Sequence, residues 1–436
     1  MTHLKETIKY GLVVTLMLLS QLAWAISNEL QSLVTMETQM NAAVSDRHAG
    51  MIPLRHYEIP LSLVESSVAL RANPQFVNSL IFEKDGQKYL RWIINPEDTH
   101  WHKAVEDFLL KNNIQPEKKT YFEGYQTASR SYIVVDPNTG AEFSYKGSTD
   151  HTGGAWRDKK QTWDDAQQIR LMTDFVHSLL KNQPPLENTI LLDEPMAFGI
   201  KDLDQGMVIR SYEDLSYQGK HYVPGFSIMH EKLGAELALK NGSKDPATYW
   251  NEHYNKPLAR ALAEFFALTG MAYDSPHSQN FLVELTADYK PTGKIVLRDF
   301  GDTYLSTEFF EAFKRTDILS KWDQGNVKKN AMSIRVGILH GNKPPSWIST
   351  VSDDKSNASY DQWGRDFFAE FNKEFKRQTG RKLTARLKTH MRGGLCVEQK
   401  YSLADKEGYR LMELVAKGAQ RNHLLIRSCE KVFLAN

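Results

Sequence analysis

The chain has 436 residues, 41% hydrophobic and 11% aromatic, enough for a large packed core and more than one lobe, and against disorder. Its 54 basic and 53 acidic side chains leave a formal charge of +1, which excludes a global field drawing it to nucleic acid or to an anionic membrane. Any charged ligand must be met by local clusters.

Residues 1–25 read as a secretory signal peptide. Lys5 and Lys9 precede the apolar run Gly11 to Leu19, and Ala23-Trp24-Ala25 is a small-residue cleavage pattern. An uncleaved anchor is the alternative, but the run is short for a bilayer span and no later segment could supply one. The expected product is periplasmic or secreted, with no stable membrane span after signal removal. Its two cysteines, Cys396 and Cys429, admit two readings: one disulfide in an oxidising compartment, or two buried thiols.

Residues 26–120 form an N-terminal α/β region. A short helix is expected over 26–47, then a hairpin turning at Asp85-Gly86, then a helix from Thr99 to Asn113. His100 and His102 at the start of that helix point in different directions, so they read as two surface histidines and not as a metal pair.

Residues 121–215 read as a β-rich lobe. Ser131 to Val135 and Ala141 to Lys146 flank the turn sequence Asp136-Pro137-Asn138-Thr139-Gly140. Thr127, Ser129 and Arg130 stand before the first strand, Lys146 ends the second, and Arg157 follows. Hydroxyls, backbone N–H groups and cations at neighbouring strand ends suit a polyphosphate, whose charge needs fixed donors. Asp164 to Lys181 has the spacing of an amphipathic helix, and apolar runs at 190–192 and 207–209 read as strands.

Residues 216–436 read as mainly helical, with helices near 230–239 and 258–268, the latter stopped by Gly270. The exception is the hairpin within 275–302. Phe281, Val283 and Leu285 alternate with Leu282 and Glu284, a turn is expected at Lys290 to Gly293, and Ile295 to Leu297 return. Antiparallel pairing would set Asn280 beside Asp299, an amide oxygen next to a carboxylate, a hard-oxygen pair suited to Mg²⁺. Further on, Trp363, Phe367, Phe368, Phe371 and Phe375 form an aromatic stripe expected to be core, and Ser402 is expected to cap a last helix pair.

The motifs TASRSY, FSYK, HTGGAWR, HSQN and LRDFG occur in that order across roughly residues 120 to 310. In this they resemble the NRPS-independent siderophore synthetases of the aerobactin type, and more distantly the protein-kinase-like fold with its D-F-G. The resemblance implies an α+β fold with a two-lobed kinase-like architecture: a small antiparallel β lobe, a mainly helical lobe, and the β-hairpin at the cleft. It implies that Ser129, Arg130, Lys146 and Arg157 hold the triphosphate of ATP. His277 and Gln279 would line the nucleotide site, Asn280 and Asp299 would serve Mg²⁺, and His277 and Asp299 would be the catalytic pair.

The implied reaction is ATP-dependent carboxylate adenylation followed by amide formation, with a small-molecule carboxylate and an amine as partners. Two alternatives keep the fold: an exported kinase-like phosphotransferase or nucleotidyltransferase, and a non-catalytic kinase-like binding protein. Departures from the family pattern are Ser275 where a glutamate commonly precedes the histidine, and a shorter chain. Against a protein kinase, Ser278 and Gln279 stand where a catalytic H-R-D would continue.

Overall fold

The structure is a computed structural model. It describes residues 26–40, 49–127, 130–150, 159–181, 183–216, 219–273, 278–322, 327–328, 345–348, 356–381, 385–392, 395–401 and 426–428.

The chain enters through helix α1 (Asn28–Thr38), whose Leu30, Leu33 and Val34 are fully buried. Strands β1 (Met51–Pro60) and β2 (Glu65–Val68) follow, then α2 (Pro74–Leu80), capped by the Asn73 side chain. The expected hairpin is β3 (Ile81–Lys84) and β4 (Gln87–Ile93), with Asp85 and Gly86 both at positive φ, as the right-handed twist of a two-residue turn requires. After α3 (His100–Lys111) come β5 (Lys119–Gln126), β6 (Ser131–Val135) and β7 (Glu142–Lys146). Helix α4 (Trp163–Leu180) leads to β8 (Thr189–Leu191), β9 (Met196–Ile200) and β10 (Gln205–Ser211).

Nine of these ten strands form one antiparallel sheet in the order β2-β9-β10-β7-β6-β5-β1-β4-β3. One face is covered by α2 and α3, through Phe76, Val105, Phe108 and Leu109 against Leu54, Phe122 and Phe143. On the other, Trp163, Ala166 and Ile169 of α4 pack on Ala197 and Val208. Helix α1 seats beside them with Tyr125, Ile133 and Val135.

The remaining strand, β8, belongs to a second sheet with β11 (His221–Pro224), β13 (Phe281–Leu285) and β14 (Pro291–Leu297), in the order β11-β13-β14-β8. The β8–β14 pairing is parallel. Leu282 and Val296 of this sheet join the α1 core, so α1 is wedged between the two sheets. Helices α5 (Glu231–Lys240), α6 (Pro246–Trp250) and α7 (Lys256–Thr269) pack behind it, and α7 ends at Gly270 in the left-handed conformation the sequence anticipates. A third sheet joins β12 (Met271–Tyr273), β15 (Thr303–Ser306) and β16 (Val327–Lys328), with α8 (Thr307–Ala312) following β15. Helix α9 (Ser356–Thr379) buries Trp163-like bulk of its own, Trp363, Phe367, Phe371 and Phe375, against α7.

Three expectations need amendment, and one strand was not anticipated. His102 is buried, its Nε2 accepting the Asn95 N–H at 2.7 Å, and only His100 is exposed. The turn of the β13–β14 hairpin falls at 286–290, because Tyr289 takes φ +67° and Thr286 N–H donates to Lys290 C=O, so Pro291 already opens β14. Strand β9 lacked a sequence reading. The chain beyond α9, expected to be helical, forms β17 (Ala385–Arg392), β18 (Leu395–Tyr401) and β19 (Ile426–Ser428) in the order β18-β17-β19. A Gly-Gly pair separates β17 from β18 in sequence, a hairpin signal. The Ser402 helix pair lies outside the described residues. Among those described, no helix is long and apolar enough to cross a membrane.

Candidate functional site

The β6–β7 hairpin closes with Ser131 opposite Lys146, so Arg130 and Lys146 leave the large sheet at the same end. Across β7, Val208 faces Lys146 and Arg210 faces Ser144; residues two apart on a strand share a face, so Lys146 and Arg210 project to one side. In the second sheet Phe281 faces Leu297, and Arg298 N–H donates to Asn280 C=O at 3.2 Å, which brings the start of β13 next to Asp299. Strand β8, parallel to β14, delivers Asp193 and Glu194 to the same end.

These strand ends meet in a chain of alternating charges. The Asp299 Oδ1 accepts from Lys146 Nζ and, at 3.2 Å, from Arg210 Nη2. Arg210 in turn forks onto Glu194 Oε1 through Nη2 at 2.6 Å and Nε at 3.2 Å, and Phe300 N–H donates to Glu194 Oε2 at 3.4 Å. Asp299 holds φ +71°, a left-handed conformation disfavoured for a residue with a side chain, and the ion pairs fix it there. Burial alone would raise the Asp299 carboxyl, but Lys146 and then Arg210 hold it well below the usual range. Glu194 is pushed up by burial despite Arg210.

Beside this chain lies a cavity of about 600 Å³ lined by Arg130, Lys146, Lys159, Gln161, Asp165 and Asp302, among others. Arg130 is 5% exposed, with Nη1 donating to Gly147 C=O at 3.3 Å. Burial lowers the Lys159 ammonium, and so do Arg130 and Lys146 close by. Arg130 is buried, Lys146 is half-buried and paired with Asp299, and Lys159 is exposed at the cavity rim; an anion in the cavity would be met by Arg130 and Lys159. Helix α4 walls the cavity, and it approaches the D-F-G turn closely: a Cβ on Gly301 would lie 2.4 Å from Ile169.

Asn280 is fully buried, and neither its Oδ1 nor its Nδ2 has a hydrogen-bond partner among the described residues. A buried amide is normally satisfied, so these two orphaned atoms, in the residue whose carbonyl meets Arg298, are an unmet demand for a partner. The backbone there is braced from behind. Arg298 donates to Gln279 C=O from Nε (3.1 Å) and Nη2 (2.8 Å), pairs with the buried Glu37 of α1 at 2.6 Å, and its own carbonyl accepts from Tyr273 OH at 3.0 Å.

Of the sequence candidates, Arg130 and Lys146 face the cavity, Asp299 binds Lys146, and Gln279 and Asn280 stand across the hairpin from Arg298. Ser129, Arg157 and His277 lie outside the described residues. Sequence reasoning missed Arg210, Glu194, Lys159 and Gln161. A signal existed for two of them: Arg210 ends the apolar run Met207 to Ile209, and Glu194 follows Leu191-Leu192, charges in segments that otherwise bury. Among the described residues no three His, Cys, Asp or Glu side chains are grouped to hold a metal ion. Asn280 and Asp299 offer two hard oxygens, the number Mg²⁺ takes when phosphates and water complete its shell.

No family profile matches the chain, and no curated protein does. Among solved structures it is similar to petrobactin biosynthesis protein AsbB from Bacillus anthracis str. Sterne, at 12% identity and TM-score 0.55, over 80% of this chain and 67% of that one. Aerobactin synthetase IucC from a hypervirulent pathotype of Klebsiella pneumoniae aligns at 12% identity and TM-score 0.46, over 59% of this chain. ATP-bound aerobactin synthetase IucA from the same source aligns at 15% and 0.46, over 76% of this chain and 62% of that one. The chain spans half the length of IucC. The likeness to AsbB is one of fold.

Proposed function

We propose that the chain binds a nucleoside triphosphate with Mg²⁺ in a kinase-like cleft between two lobes. Residues 121–215 form its cover and the 275–302 hairpin its floor. In this reading the triphosphate is a substrate: a carboxylate attacks its α-phosphorus, pyrophosphate leaves, and an amine then displaces AMP to form an amide. The observation that carries the reading is the convergence of Arg130, Lys146 and Lys159 on one cavity, with Asp299 bound to Lys146.

Each residue has a role its setting supports. Arg130, held by the Gly147 carbonyl, and Lys159 would meet phosphate oxygens; the family resemblance assigns Ser129, Arg157 and His277 to the same nucleotide. The Asn280 amide oxygen and the Asp299 carboxylate would hold Mg²⁺, which when bound supplies neutralisation of phosphate charge. Arg298 and Glu37 would keep the Gln279–Asn280 backbone fixed as charge develops. A signal peptide at residues 1–25 would make the mature chain periplasmic or secreted, and its ATP would then come from another compartment.

Thermal shift of the mature chain with ATP and Mg²⁺ tests binding, since a ligand of the folded state must raise its melting temperature. Incubation with ATP, Mg²⁺, a polycarboxylate and a diamine is expected to release AMP. Release of ADP instead would transfer the assignment to a kinase-like phosphotransferase, and a shift without turnover to a binding protein. No shift at all refutes the nucleotide site.

A further inference from the structure

Lys146, which lines the cavity, and Arg210 are both engaged by one oxygen of Asp299. Arg210 is engaged on its other side by Glu194. The four groups Lys146, Arg210, Asp299 and Glu194 sum to zero charge, and all are at least four-fifths buried. Among the described residues, Arg130 and Lys159 remain to attract an anion, and these share the cavity with the carboxylates of Asp164, Asp165 and Asp302. As it stands the cleft is self-neutralised. A polyphosphate entering alone would meet a Lys146 whose charge is spent and an Asp299 that repels it.

We propose that Asp299 is an internal counter-ion that withholds Lys146 and Arg210 from metal-free polyphosphate, so that the cleft admits its anion only with a divalent cation to take over Asp299. This rests on the nucleotide-cleft reading above and adds a selection rule to it: a metal requirement set by exchange of ion-pair partners. Asp299 would hold the cation by its carboxylate, which would free Lys146 for the phosphates. No bond is made or broken beyond these contacts. The arrangement is suited to an anion that carries its own cation, and it discriminates against free pyrophosphate and other naked polyanions of the same size.

The test uses inorganic tripolyphosphate, with Mg²⁺ or with EDTA, binding to the full mature chain by calorimetry. Wild type is expected to bind at least about tenfold more tightly with Mg²⁺. Asp299→Asn keeps the side-chain shape and removes the counter-charge. It is expected to bind the metal-free anion at least about tenfold more tightly than wild type does, and to gain nothing further from Mg²⁺. Lys146→Met is expected to weaken binding in both conditions. The proposal is overturned if Asp299→Asn, folded by circular dichroism, binds metal-free tripolyphosphate no better than wild type. Should that variant not fold, wild type alone decides, because equal affinity with Mg²⁺ and with EDTA overturns it. Binding by neither protein in either condition overturns the cleft reading itself, an outcome separate from a metal-independent but measurable affinity.

Discussion

Arg210→Met is the perturbation that reads the ion-pair chain most directly. It removes the guanidinium that bonds Glu194 at 2.6 and 3.2 Å and Asp299 at 3.2 Å, and a methionine fills most of the space. Glu194 has no exposed surface, so the variant leaves a buried carboxylate whose remaining hydrogen-bond partner among the described residues is the Phe300 N–H at 3.4 Å. Breaking one side of such a buried pair costs about 3–5 kcal/mol. The loss carries a pH signature. Burial already raises Glu194, so the folded state holds its proton more tightly than the unfolded chain does. Stability from that group is present at low pH and is lost as pH rises through the raised value. The variant is therefore expected to be impaired more at pH 8 than at pH 5 in equilibrium urea unfolding. Replacing both partners, Glu194→Leu with Arg210→Met, is expected to recover a large part of the loss, since the uncompensated charge is gone. A single-variant cost below about 1 kcal/mol, or a double variant no better than the single, would show that the chain of charges is not what holds the D-F-G turn.

Burial lowers His102 and His56 to about 4, so both are neutral in the folded chain at pH 5 while an unfolded histidine is charged. Their contribution is full above pH 6.5 and is lost as pH falls toward 4, which a urea-midpoint series across that window would record, with ring-proton NMR showing both still neutral at pH 5. Gly206→Ala would put a methyl carbon 2.2 Å from the Thr162 carbonyl oxygen where β10 meets the start of α4. It is expected to cost about 1–3 kcal/mol, seen as a lower melting temperature, and an unchanged value would mean that α4 can move off the sheet freely. Removing Mg²⁺ from the ATP thermal-shift experiment is expected to abolish most of the stabilisation, as the counter-ion role of Asp299 requires.

The hairpins, the amphipathic helix α4 and the Gly270 stop were legible in the sequence, because each is fixed by neighbours within about ten residues: turn glycines, period-2 or period-3.6 burial, and caps. So was the pairing that brings the Asn280 carbonyl to the Arg298 N–H, which follows from two adjacent strands. Strand β9 escaped notice because Met196 to Ile200 is apolar throughout and short, with no alternation to read. His102 looked like a surface residue because its partner, the Asn95 N–H, belongs to the preceding loop and not to the helix.

The amino-acid sequence by itself determined where cations, hydroxyls and glycines fall along the chain and which of them stand at the ends of hairpin strands, since these are local properties. Only the tertiary structure decided that Lys146 and Asp299, 153 residues apart, are partners, and that Arg210 and Glu194 complete their chain of charge. Pairing across such a separation depends on how two sheets pack around α1, and burial is what makes the charges answer to one another.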